Sequence, residues 1–428
     1  MNALSKPAMS LAGVQWLFFM FANTVVVPLS VGAAFELPDL EVAGIIRTSF
    51  IVTGAASILQ AVFGHKYPLM EGHGGVWWGL VLSLCASAPA IGLSYAEVGG
   101  SLALGIVLAG LMTIVLGAIG FAGTLRKLFN PVVLTVYLFL LSCQLIMVFF
   151  KGMLGMNEEG KIDATVAMLS FGIVLLVLVL AVKGFGKLGN YSILIGMVVG
   201  WIAYSLLFKT SAQVSSGSSA LFPLLPWGPF RMDIGIVLTA FLAGLINMAN
   251  SLVAITTIEK LFKTKTSDVQ YRRAFMLTGL HTIIAGLFGL IPYGPYTSSI
   301  GFLESTRIYQ RLPFVLGGLL FIVMGLVPML GSFFSLMPMS IGDAVLFVAY
   351  LQLFGNAMKN IRQLPLERIS LYRLTLPVLA GLSVMTISPA AFSTFPVLMQ
   401  PIISNGLLVG VLLSLLMELA SYKNKVVA

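Results

Sequence analysis

The sequence predicts an all-α polytopic membrane protein, and three features of the chain lead to this fold class. Of the 428 residues, 58% are apolar and 9% are charged, and the mean hydropathy is +1.02. A soluble domain carries about a quarter charged residues, so this composition cannot cover a surface that faces water. Apolar runs recur along the chain, and many reach the roughly 20 residues that a helix needs to cross the hydrocarbon core. Two of these runs are interrupted by proline and glycine at matching positions in the two halves.

The apolar runs predict fourteen membrane spans in two sets of seven, separated by a polar, Ser-rich loop at 211–220. In the first half, the spans are predicted at 9–30, 43–64, 70–90, 99–122, 130–150, 164–182 and 190–208. In the second half, they are predicted at 233–258, 272–291, 293–306, 312–331, 337–356, 371–389 and 399–421. We therefore predict two seven-span repeats, residues 1–208 and 233–428, which leave little of the chain outside the bilayer.

The distribution of charge orients these spans in the membrane. Most of the 24 Lys and Arg residues fall in loops on the same side as the two termini, and most of the loop acids fall on the opposite side. Cytoplasmic loops carry an excess of Lys and Arg, so we predict a multi-pass protein of the plasma (inner) membrane with both termini in the cytoplasm. The net charge of +9 follows from this arrangement, and we expect no nucleic-acid partner.

The third predicted span of each half is broken by residues that disrupt a helix. The first break is YPLMEGHGGVWWG, Tyr67 to Gly79, and the second is IPYGPYTSSIGFLESTR, Ile291 to Arg307. Each begins with an apolar residue and a proline and then becomes rich in Gly or Ser. Such paired interruptions indicate a transporter binding site, because non-helical backbone in lipid needs polar partners and two helix N-termini would point at one ligand. A kinked or re-entrant segment without a ligand is the alternative.

Three segments resemble one known family of transporters. QWLFFMFANTVVVPL (15–29) is similar to the family's first span, INMANSLVAI (246–255) to its eighth span, and SSIGFLESTR (298–307) to its signature. The positions that match the signature are Gly301, Thr306 and Arg307. The chain thus resembles the nucleobase–ascorbate transporter family, also called nucleobase:cation symporter-2, over essentially its whole length.

The resemblance implies a fold of two inverted seven-span repeats with a short β-strand in each of the broken spans 3 and 10. Spans 1–4 and 8–11, about 9–122 and 233–331, would form a core domain. Spans 5–7 and 12–14, about 130–208 and 337–421, would form a gate domain. It further implies a homodimer that transports uracil, xanthine or another purine by alternating access, with H+ or Na+ as the coupling ion.

The chain departs from the family where members carry titratable groups. Asn247 stands where members place a carboxylate that bonds the nucleobase, and Ser298 stands where uracil-type members place a second one. Trp16 replaces the histidine that follows the first-span glutamine, Gln15. The resemblance is therefore to a divergent member that lacks the usual carboxylates. An amide pairs with a base edge but cannot titrate, so proton coupling does not carry over from the family.

The resemblance and the breaks together give the expected substrate-binding residues: Gln15, Trp16, Gly75, Val76, Asn247, Ser251, Tyr296, Thr297, Ser298 and Ser299. Asn247 and Ser251 lie i,i+4 on one helix face, where hydrogen bonding between helices is the alternative role. Tyr296 would stack on a planar base or anchor the break. Gly75 and Val76 would offer backbone amides from the first break.

Three residues are candidates for binding a coupling ion: Glu71, His73 and Glu304. Glu71 and His73 flank Gly72, and an ionisable residue in the membrane is a functional candidate because burying it without compensation costs several kcal/mol. Glu71 would replace the missing carboxylates, with His73 as its partner, or it would make a structural bond to the backbone. Glu304 lies three residues before Arg307, where a local ion pair is the alternative.

The leading function is that of a secondary transporter, or permease, for a nucleobase. An anion transporter or channel of the same fold is the second class, although neither break holds a basic residue before the terminal Arg307. A nucleobase sensor that no longer transports is the third. An enzyme is not expected, because the spans hold neither an HExxH helix nor paired catalytic carboxylates. Cys85 and Cys143 lie in apolar runs as free thiols, and we expect no catalytic residue, metal site or cofactor.

Overall fold

The structure, a computed structural model, consists almost entirely of α-helices. It describes residues 6–89, 92–156, 161–183, 189, 191–208, 220–364, 368–396 and 398–427. The Ser-rich loop predicted at 211–220 therefore lies outside the described residues except for its last position.

The helices fall into a first-half and a second-half group. Those of the first half are α1 (Lys6–Thr24), α2 (Val26–Ala34), α3 (Asp39–Val62), α4 (Gly75–Ser87), α5 (Tyr95–Ile119), α6 (Ala122–Leu128), α7 (Pro131–Met153), α8 (Ala164–Lys183) and α9 (Ser192–Leu207). Those of the second half are α10 (Ile234–Phe262), α11 (Asp268–Leu287), α12 (Ser298–Thr306), α13 (Arg311–Leu326), α14 (Pro328–Ser335), α15 (Met339–Gln363), α16 (Arg368–Thr386), α17 (Gln400–Ile403) and α18 (Gly406–Val427). Two strands, β1 (Glu71–His73) and β2 (Tyr293–Pro295), precede α4 and α12.

Local sequence sets the start of several long helices. α5 and α11 begin with capping boxes, in which the side chains of Ser94 and Ser267 accept the backbone amides of Glu97 and Gln270. The side chains of Glu97 and Gln270 accept the amides of the two serines in return. The Asn130 side chain accepts the second and third amides of α7. These bonds satisfy amides that the first turn of a helix leaves unpaired.

The chain is an integral membrane protein by the length and composition of its helices. The described helices that are long and apolar enough to cross a membrane number seven: Met9–Ala34, α3, α5, α7, α8, α10 and α15. The bent pair α13 and α14 makes eight if it is counted as one span. Shorter apolar helices lie at Gly75–Ser87, Ser192–Leu207, Leu371–Thr386 and Gly406–Ala420. The described part of the chain thus holds about seven or eight such spans, and the count of fourteen stays a prediction.

The eleventh predicted span, 312–331, is wrong as a single helix. The backbone is extended at Val327, α14 begins with Pro328, and the two helices are bent by 88°. Proline has no amide hydrogen and restricts the residue before it, which ends α13 at this point. The buried guanidinium of Arg47 on α3 donates to the last two carbonyls of α13, at 3.1 and 3.3 Å. A positive charge at the helix C-terminus therefore satisfies acceptors that the bend exposes.

Other predicted spans are divided as well. The first is divided only at Val25, between α1 and α2, where the backbone stays helical, so Met9–Ala34 remains one membrane-crossing helix. The last, predicted at 399–421, is divided between α17 and α18. The third and tenth, predicted at 70–90 and 293–306, each consist of a strand followed by a helix too short to cross the bilayer.

The two halves interlock, because the three most extensive helix contacts each join one helix of each half. α5 packs along α11, α7 along α15, and α3 along α13. The contact between α5 and α11 uses small residues: a Cβ on Gly110 would lie 2.8 Å from the carbonyl oxygen of Gly279. Small residues let helices approach closely in a membrane, where lipid provides no hydrophobic drive for association.

Candidate functional site

The two breaks meet as a two-stranded antiparallel sheet. Its register pairs Glu71 with Pro295, Gly72 with Gly294 and His73 with Tyr293, and all six residues are buried. Two further bonds extend the pairing: the Gly74 amide donates to the Pro292 carbonyl and the Tyr296 amide to the Met70 carbonyl, both at 2.8 Å. The sheet satisfies backbone groups that would otherwise be unpaired inside the membrane.

Proline and glycine explain why the chain is extended here. Pro68 and Pro292 precede the strands, and each disfavours helical backbone at the residue before it. A Cβ at Gly72 would lie 3.0 Å from the ring of Tyr296. Any other residue at position 72 would therefore displace the tyrosine.

A helix starts directly after each strand. α4 begins at Gly75 and α12 at Ser298. Their N-cap residues, Gly74 and Thr297, make no side-chain cap hydrogen bond. The first amides of a helix have no partner within it and carry the partial positive charge of the helix dipole. Both helix N-termini can therefore donate to a ligand.

A cavity of about 380 Å³ lies in front of the sheet, between the helices of the predicted core and gate. On the core side it is lined by Gln15, Phe18, Phe19, Ala22, Asn23, His73, Gly74, Gly75, Asn250, Pro295, Tyr296, Thr297, Ser298, Gly301 and Phe302. On the gate side it is lined by Tyr137, Leu138, Leu141, Gly189, Tyr191, Ser192, Ile193, Leu194, Ala349, Tyr350 and Leu353. Small-molecule sites typically enclose about 300–1,000 Å³, so this cavity suits a small ligand.

The cavity lining combines aromatic rings with neutral polar groups. No Asp, Glu, Lys or Arg is among the described residues that line it. The amides of Gln15, Asn23 and Asn250 and the hydroxyls of Thr297 and Ser298 offer both donors and acceptors. Aromatic rings add flat apolar surface. This lining suits a small, flat, uncharged molecule with polar edges.

Part of the expected binding set lines this cavity: Gln15, Gly75, Tyr296, Thr297 and Ser298. The Tyr296 hydroxyl donates to the His73 carbonyl at 2.8 Å, so the tyrosine joins the two breaks at the cavity wall. The Gln15 side chain lies within hydrogen-bonding reach of the Tyr191 hydroxyl on the gate side. The structure therefore brings the first span and both breaks together around one space.

Asn247, Ser251 and Ser299 lie outside the cavity lining. Asn247 Nδ2 donates to the Tyr293 carbonyl at 2.9 Å, and its Oδ1 is buried with no partner among the described residues. The Ser299 hydroxyl accepts the Met70 amide at 3.1 Å, whereas Ser251 bonds within α10 to the Asn247 carbonyl at 3.3 Å. Asn247 and Ser299 therefore hydrogen-bond the backbone of the breaks without lining the cavity.

Trp16 and Val76 are packed into the protein. Trp16 is 1% exposed, and its ring contacts Phe302 and Phe314 at centroid distances of 4.5 and 4.8 Å. The Val76 side chain is likewise buried, in the first turn of α4. Val76 follows the lining residue Gly75 and is not itself part of the cavity lining. Trp16 acts here as a packing residue between α1, α12 and α13.

Glu71 and His73 do not pair with each other. The His73 ring is held at both nitrogens: Nδ1 donates to the Ile291 carbonyl at 2.9 Å, and Nε2 contacts the Ser49 hydroxyl. Neither oxygen of the Glu71 carboxyl group has a hydrogen-bond partner among the described residues. The ionisable group that faces it is His65, whose Nε2 lies 3.9 Å from Glu71 Oε1. The expected Glu71–His73 pair is thus replaced by Glu71 and His65.

Glu304 lies apart from this cluster and from the cavity. It is exposed on α12, and within the described ranges no ion pair joins it to Arg307. Arg307 is the C-cap of α12, with left-handed backbone at φ 57°. The local ion pair considered for these two residues is therefore absent from the described contacts.

The tyrosines on the gate side were missed by sequence reasoning. Tyr137 on α7 and Tyr350 on α15 line the cavity. Each lies seven residues from a second buried polar residue, Gln144 and Asp343 respectively, on the same face of its helix. α7 and α15 pack along each other. The sequence signal for this side of the cavity was therefore a pair of polar residues seven positions apart in each apolar helix.

The sequence is similar to membrane permeases. A sequence model described as a permease family matches residues 7–390. The chain is 26% identical to the uric acid permease PucJ of Bacillus subtilis (strain 168), over 95% of this chain and 91% of that protein. It is 25% identical to the nucleobase transporter PlUacP of Paenibacillus larvae subsp. larvae, over 95% of this chain and 93% of that protein.

A solved structure shares the architecture at low sequence identity. The transmembrane domain of the cyanobacterium bicarbonate transporter BicA superposes with a TM-score of 0.62 and 14% identity, over 96% of this chain and 97% of that chain. At this identity the likeness concerns the fold and leaves the ligand to be argued from the site itself.

Proposed function

The chain belongs to the nucleobase–ascorbate transporter family of permeases, and from this premise we propose that it is a secondary transporter of a nucleobase such as uracil, xanthine or another purine. The family match confirms the resemblance found in the sequence. The proposal goes further than the family, because it assigns a class of substrate and a mechanism to this chain.

The observation that carries the proposal is the uncharged cavity in front of two uncapped helix N-termini. Nucleobases are flat and neutral, and their edges carry carbonyl oxygens and ring N–H groups. The amides that start α4 and α12 supply donors for carbonyl oxygens. The amide side chains of the cavity supply both donors and acceptors for the base edge.

We assign roles according to position in the cavity. The backbone amides of Gly75, Val76 and Ser298 donate to the base. Gln15 and Thr297 complete the polar edge, and the Tyr296 ring stacks on the base face. A second amide side chain, that of Asn250, joins this edge.

The expected binding residues outside the cavity position it. Asn247 and Ser299 hold the strand backbone through the bonds described above, and Ser251 supports Asn247 within α10. Trp16 sets the packing of α1 against α12. In this proposal they shape the site without touching the base.

The proposed mechanism is alternating access between a core (9–122 and 233–331) and a gate (130–208 and 337–421). The proposed topology has fourteen crossings in two inverted repeats, with both termini in the cytoplasm and a homodimer formed through the gate. Coupling to H+ or Na+ belongs to the proposal as well. The position of the cavity between predicted core and gate supports this division, since closing the gate on the core would enclose the base.

Transport of a small anion is less well supported. The fold shared with a bicarbonate transporter allows it. A buried anion is stabilised by a fixed positive side chain, and the described residues that line the cavity include none.

Uptake into proteoliposomes tests the proposal. Labelled uracil, xanthine, hypoxanthine and guanine are supplied with no gradient, with an inward H+ gradient and with Na+. We expect uptake of one or more bases, above equilibrium under the coupling gradient. Binding without uptake would indicate a sensor, and neither binding nor uptake by folded protein would overturn the proposal.

Two glycine variants locate the site within this assay. Gly301 lines the cavity and a Cβ there would meet nothing within 4 Å, so the backbone accepts a Cβ at this position and Gly301→Leu adds side-chain volume to the cavity wall. Gly172 on α8 has equally open space and is exposed away from the cavity, so Gly172→Leu is the matched control. We expect Gly301→Leu to lose uptake and Gly172→Leu to keep it. Equal uptake by both variants would place the substrate elsewhere.

A further inference from the structure

The two-stranded sheet has two faces with different chemistry. Side chains alternate along a strand, so Glu71 and His73 point away from position 72, where a Cβ would meet the Tyr296 ring of the cavity. Their side of the sheet packs on α3, where Ser57 Oγ accepts the Glu71 amide at 3.0 Å and Ser49 contacts the His73 ring. We call this α3-facing side the back face.

Glu71 and all three histidines of the chain gather around the back face. His65 precedes β1 and faces Glu71. His281 on α11 lies 6.2 Å from the Tyr293 ring, which in turn lies 5.1 Å from the ring of His73. Each of the four ionisable side chains is no more than 2% exposed. Buried ionisable groups are expensive in a membrane protein, and a cluster of them indicates function.

The Glu71 carboxyl group is buried without any compensating contact. It is 0% exposed, and neither oxygen has a hydrogen-bond partner among the described residues. Ser57 bonds to the backbone of Glu71 and leaves the carboxyl group free. An isolated carboxylate in such surroundings is strongly unfavourable, so the group carries its proton in this conformation.

His65 presents a hydrogen-bond donor to this carboxyl group. The Tyr67 amide donates to His65 Nδ1 at 3.0 Å, so the neutral ring carries its hydrogen on Nε2. Burial, and then the positive charge of Arg311, lower the pKa of His65 to about 3, which keeps the ring neutral. Nε2 has no hydrogen-bond partner within the described chain and lies 3.9 Å from Glu71 Oε1. The donor is thus about 1 Å beyond hydrogen-bonding distance.

The other ionisable groups around Glu71 are engaged or fixed in charge. On β1, both nitrogens of His73 are bonded. On β2, the Tyr293 hydroxyl shares a hydrogen bond with α3 at 3.2 Å. His281 on α11 lies beyond Tyr293, and the positive Arg311 side chain, at the start of α13, acts on His65. On α3, the side chain that contacts Glu71 among the described residues is the hydroxyl of Ser57, which does not titrate in this range. Among these groups, Glu71 is therefore the one that can bind and release a proton.

We propose that Glu71 and His65 form a proton-binding site on the back face, and that the proton bound there drives nucleobase transport; this rests on the function proposed above. With the proton bound, the carboxyl group and the ring stay apart. When the proton leaves, the carboxylate draws the Nε2–H of His65 into a charge-assisted hydrogen bond. Lys66, next to His65, is partly exposed, so the proton site lies one residue from a position that contacts solvent.

The sheet connects this site to the cavity. A shift of Glu71 towards His65 moves β1, and β1 is paired along its length with β2. The carbonyl of His73, on the same strand, holds the hydroxyl of Tyr296 at the cavity wall. Proton and base therefore bind on opposite faces of one sheet, and neither Asn247 nor Ser298 needs to titrate.

Reconstituted wild-type and variant proteins test the site with two readouts in the same liposomes. One is base accumulation driven by an inward H+ gradient, and the other is exchange of labelled for unlabelled base with no gradient. We expect Glu71→Gln to lose accumulation and to keep exchange, because base binding is intact. Glu304→Gln, the same change at an exposed glutamate outside the cavity, should match the wild type in both readouts.

Two variants of His65 test the donor. The His65 ring stacks on Tyr67 with centroids 6.0 Å apart, so His65→Phe keeps the stack. It removes the Nε2–H donor and also the acceptor of the Tyr67 amide. We expect it to weaken accumulation and to leave exchange unchanged. His65→Gln, which retains a donor amide, should restore part of the accumulation.

Proton uptake on base binding, measured in detergent, tests the site even where a variant reconstitutes poorly into liposomes. In weakly buffered detergent solution with a pH indicator, at a pH high enough to remove the Glu71 proton from base-free protein, the wild type should take up protons as it binds base, and Glu71→Gln should not. Unchanged accumulation or proton uptake in Glu71→Gln would overturn the proton site and leave transport standing. A wild type that exchanges base and ignores the H+ gradient would overturn it too. A wild type that neither binds nor exchanges any base would instead overturn the proposed function.

Discussion

The two broken spans begin alike and carry different chemistry. Each forms a three-residue strand and then starts a helix, α4 after β1 and α12 after β2. The first turns Glu71 and His73 to the back face, whereas the second brings Tyr296, Thr297 and Ser298 to the cavity. The two breaks share a backbone conformation because extended chain in a membrane requires hydrogen-bond partners for its amides and carbonyls, and pairing the two strands provides them. The side chains are then free to differ, and the pair can separate ion binding from substrate binding.

The two breaks are also anchored by different helices. α3 holds the first through Ser49 and Ser57, and α10 holds the second through Asn247. Tyr296 and Ser299 then bond from the second break to the backbone of the first. The sheet is therefore one unit that is held by α3 on one side and by α10 on the other. We expect loss of the α3 bonds and loss of the α10 bond to affect stability and base binding differently.

The largest effect is expected from removing the His73 anchor. His73→Leu leaves the Ile291 carbonyl and the Ser49 hydroxyl without their partner. An unsatisfied buried group costs about 1–3 kcal/mol, so we expect the free energy of unfolding to fall by about 2–6 kcal/mol. Thermal unfolding of the purified protein in detergent measures the loss.

His281→Leu is the matched control for this change. His281 is 2% exposed, and neither ring nitrogen has a hydrogen-bond partner among the described residues. The same substitution there removes no hydrogen bond, and we expect little loss of stability. Equal destabilisation by the two variants would show that ring packing, and not the anchor, holds the first break.

A smaller effect is expected at the second break, where two asparagines of α10 differ in position. Asn250 lines the cavity, and Asn247 bonds the Tyr293 carbonyl behind it. Asn250→Ala should weaken base binding by about 1–3 kcal/mol and leave stability nearly unchanged, because its amide faces the substrate. Asn247→Ala should lower stability instead. Base affinity and thermal unfolding of both variants distinguish the two roles.

The opposite pattern of base affinities in the two asparagine variants would assign a different role to the second break. If Asn247→Ala lost affinity and Asn250→Ala did not, the base would lie deeper, against the strands. The second break would then bind substrate through the position where family members carry a carboxylate. The two breaks would differ less than the cavity indicates.

The sequence predicted the breaks well and their partners poorly. Proline and glycine showed where helices stop, because their backbone limits are local. Glu71 and His73 do share a face, as strand alternation requires, but residues two apart on a strand meet different neighbours. His65 comes back to Glu71 through a turn in which Lys66 has φ 66°, and no local pattern predicts where such a turn leads.

The gate side of the site and the bend before α14 show the same limit. A single tyrosine in an apolar helix looks like packing until the facing helix is known, as for Tyr137 and Tyr350. Pro328 was visible in the sequence, but the apolar residues around it resembled an unbroken span. Composition predicted the membrane helices, and long-range contacts decided which residues meet.

The smallest effect is expected from Tyr296→Phe, which tests the bond that joins the breaks. The change keeps the ring at the cavity and removes the hydroxyl, which donates to the His73 carbonyl at 2.8 Å and lies 3.4 Å from the Asn23 carbonyl. We expect a loss of about 0.5–1.5 kcal/mol in stability, the net value of one such bond, with base affinity maintained if the ring alone contacts the base. Tyr350→Phe, on the opposite wall of the same cavity, is the control and should leave stability unchanged. If Tyr296→Phe kept full stability, the two breaks would be joined by their backbone alone. If it lost base affinity instead, the hydroxyl would bind the base directly.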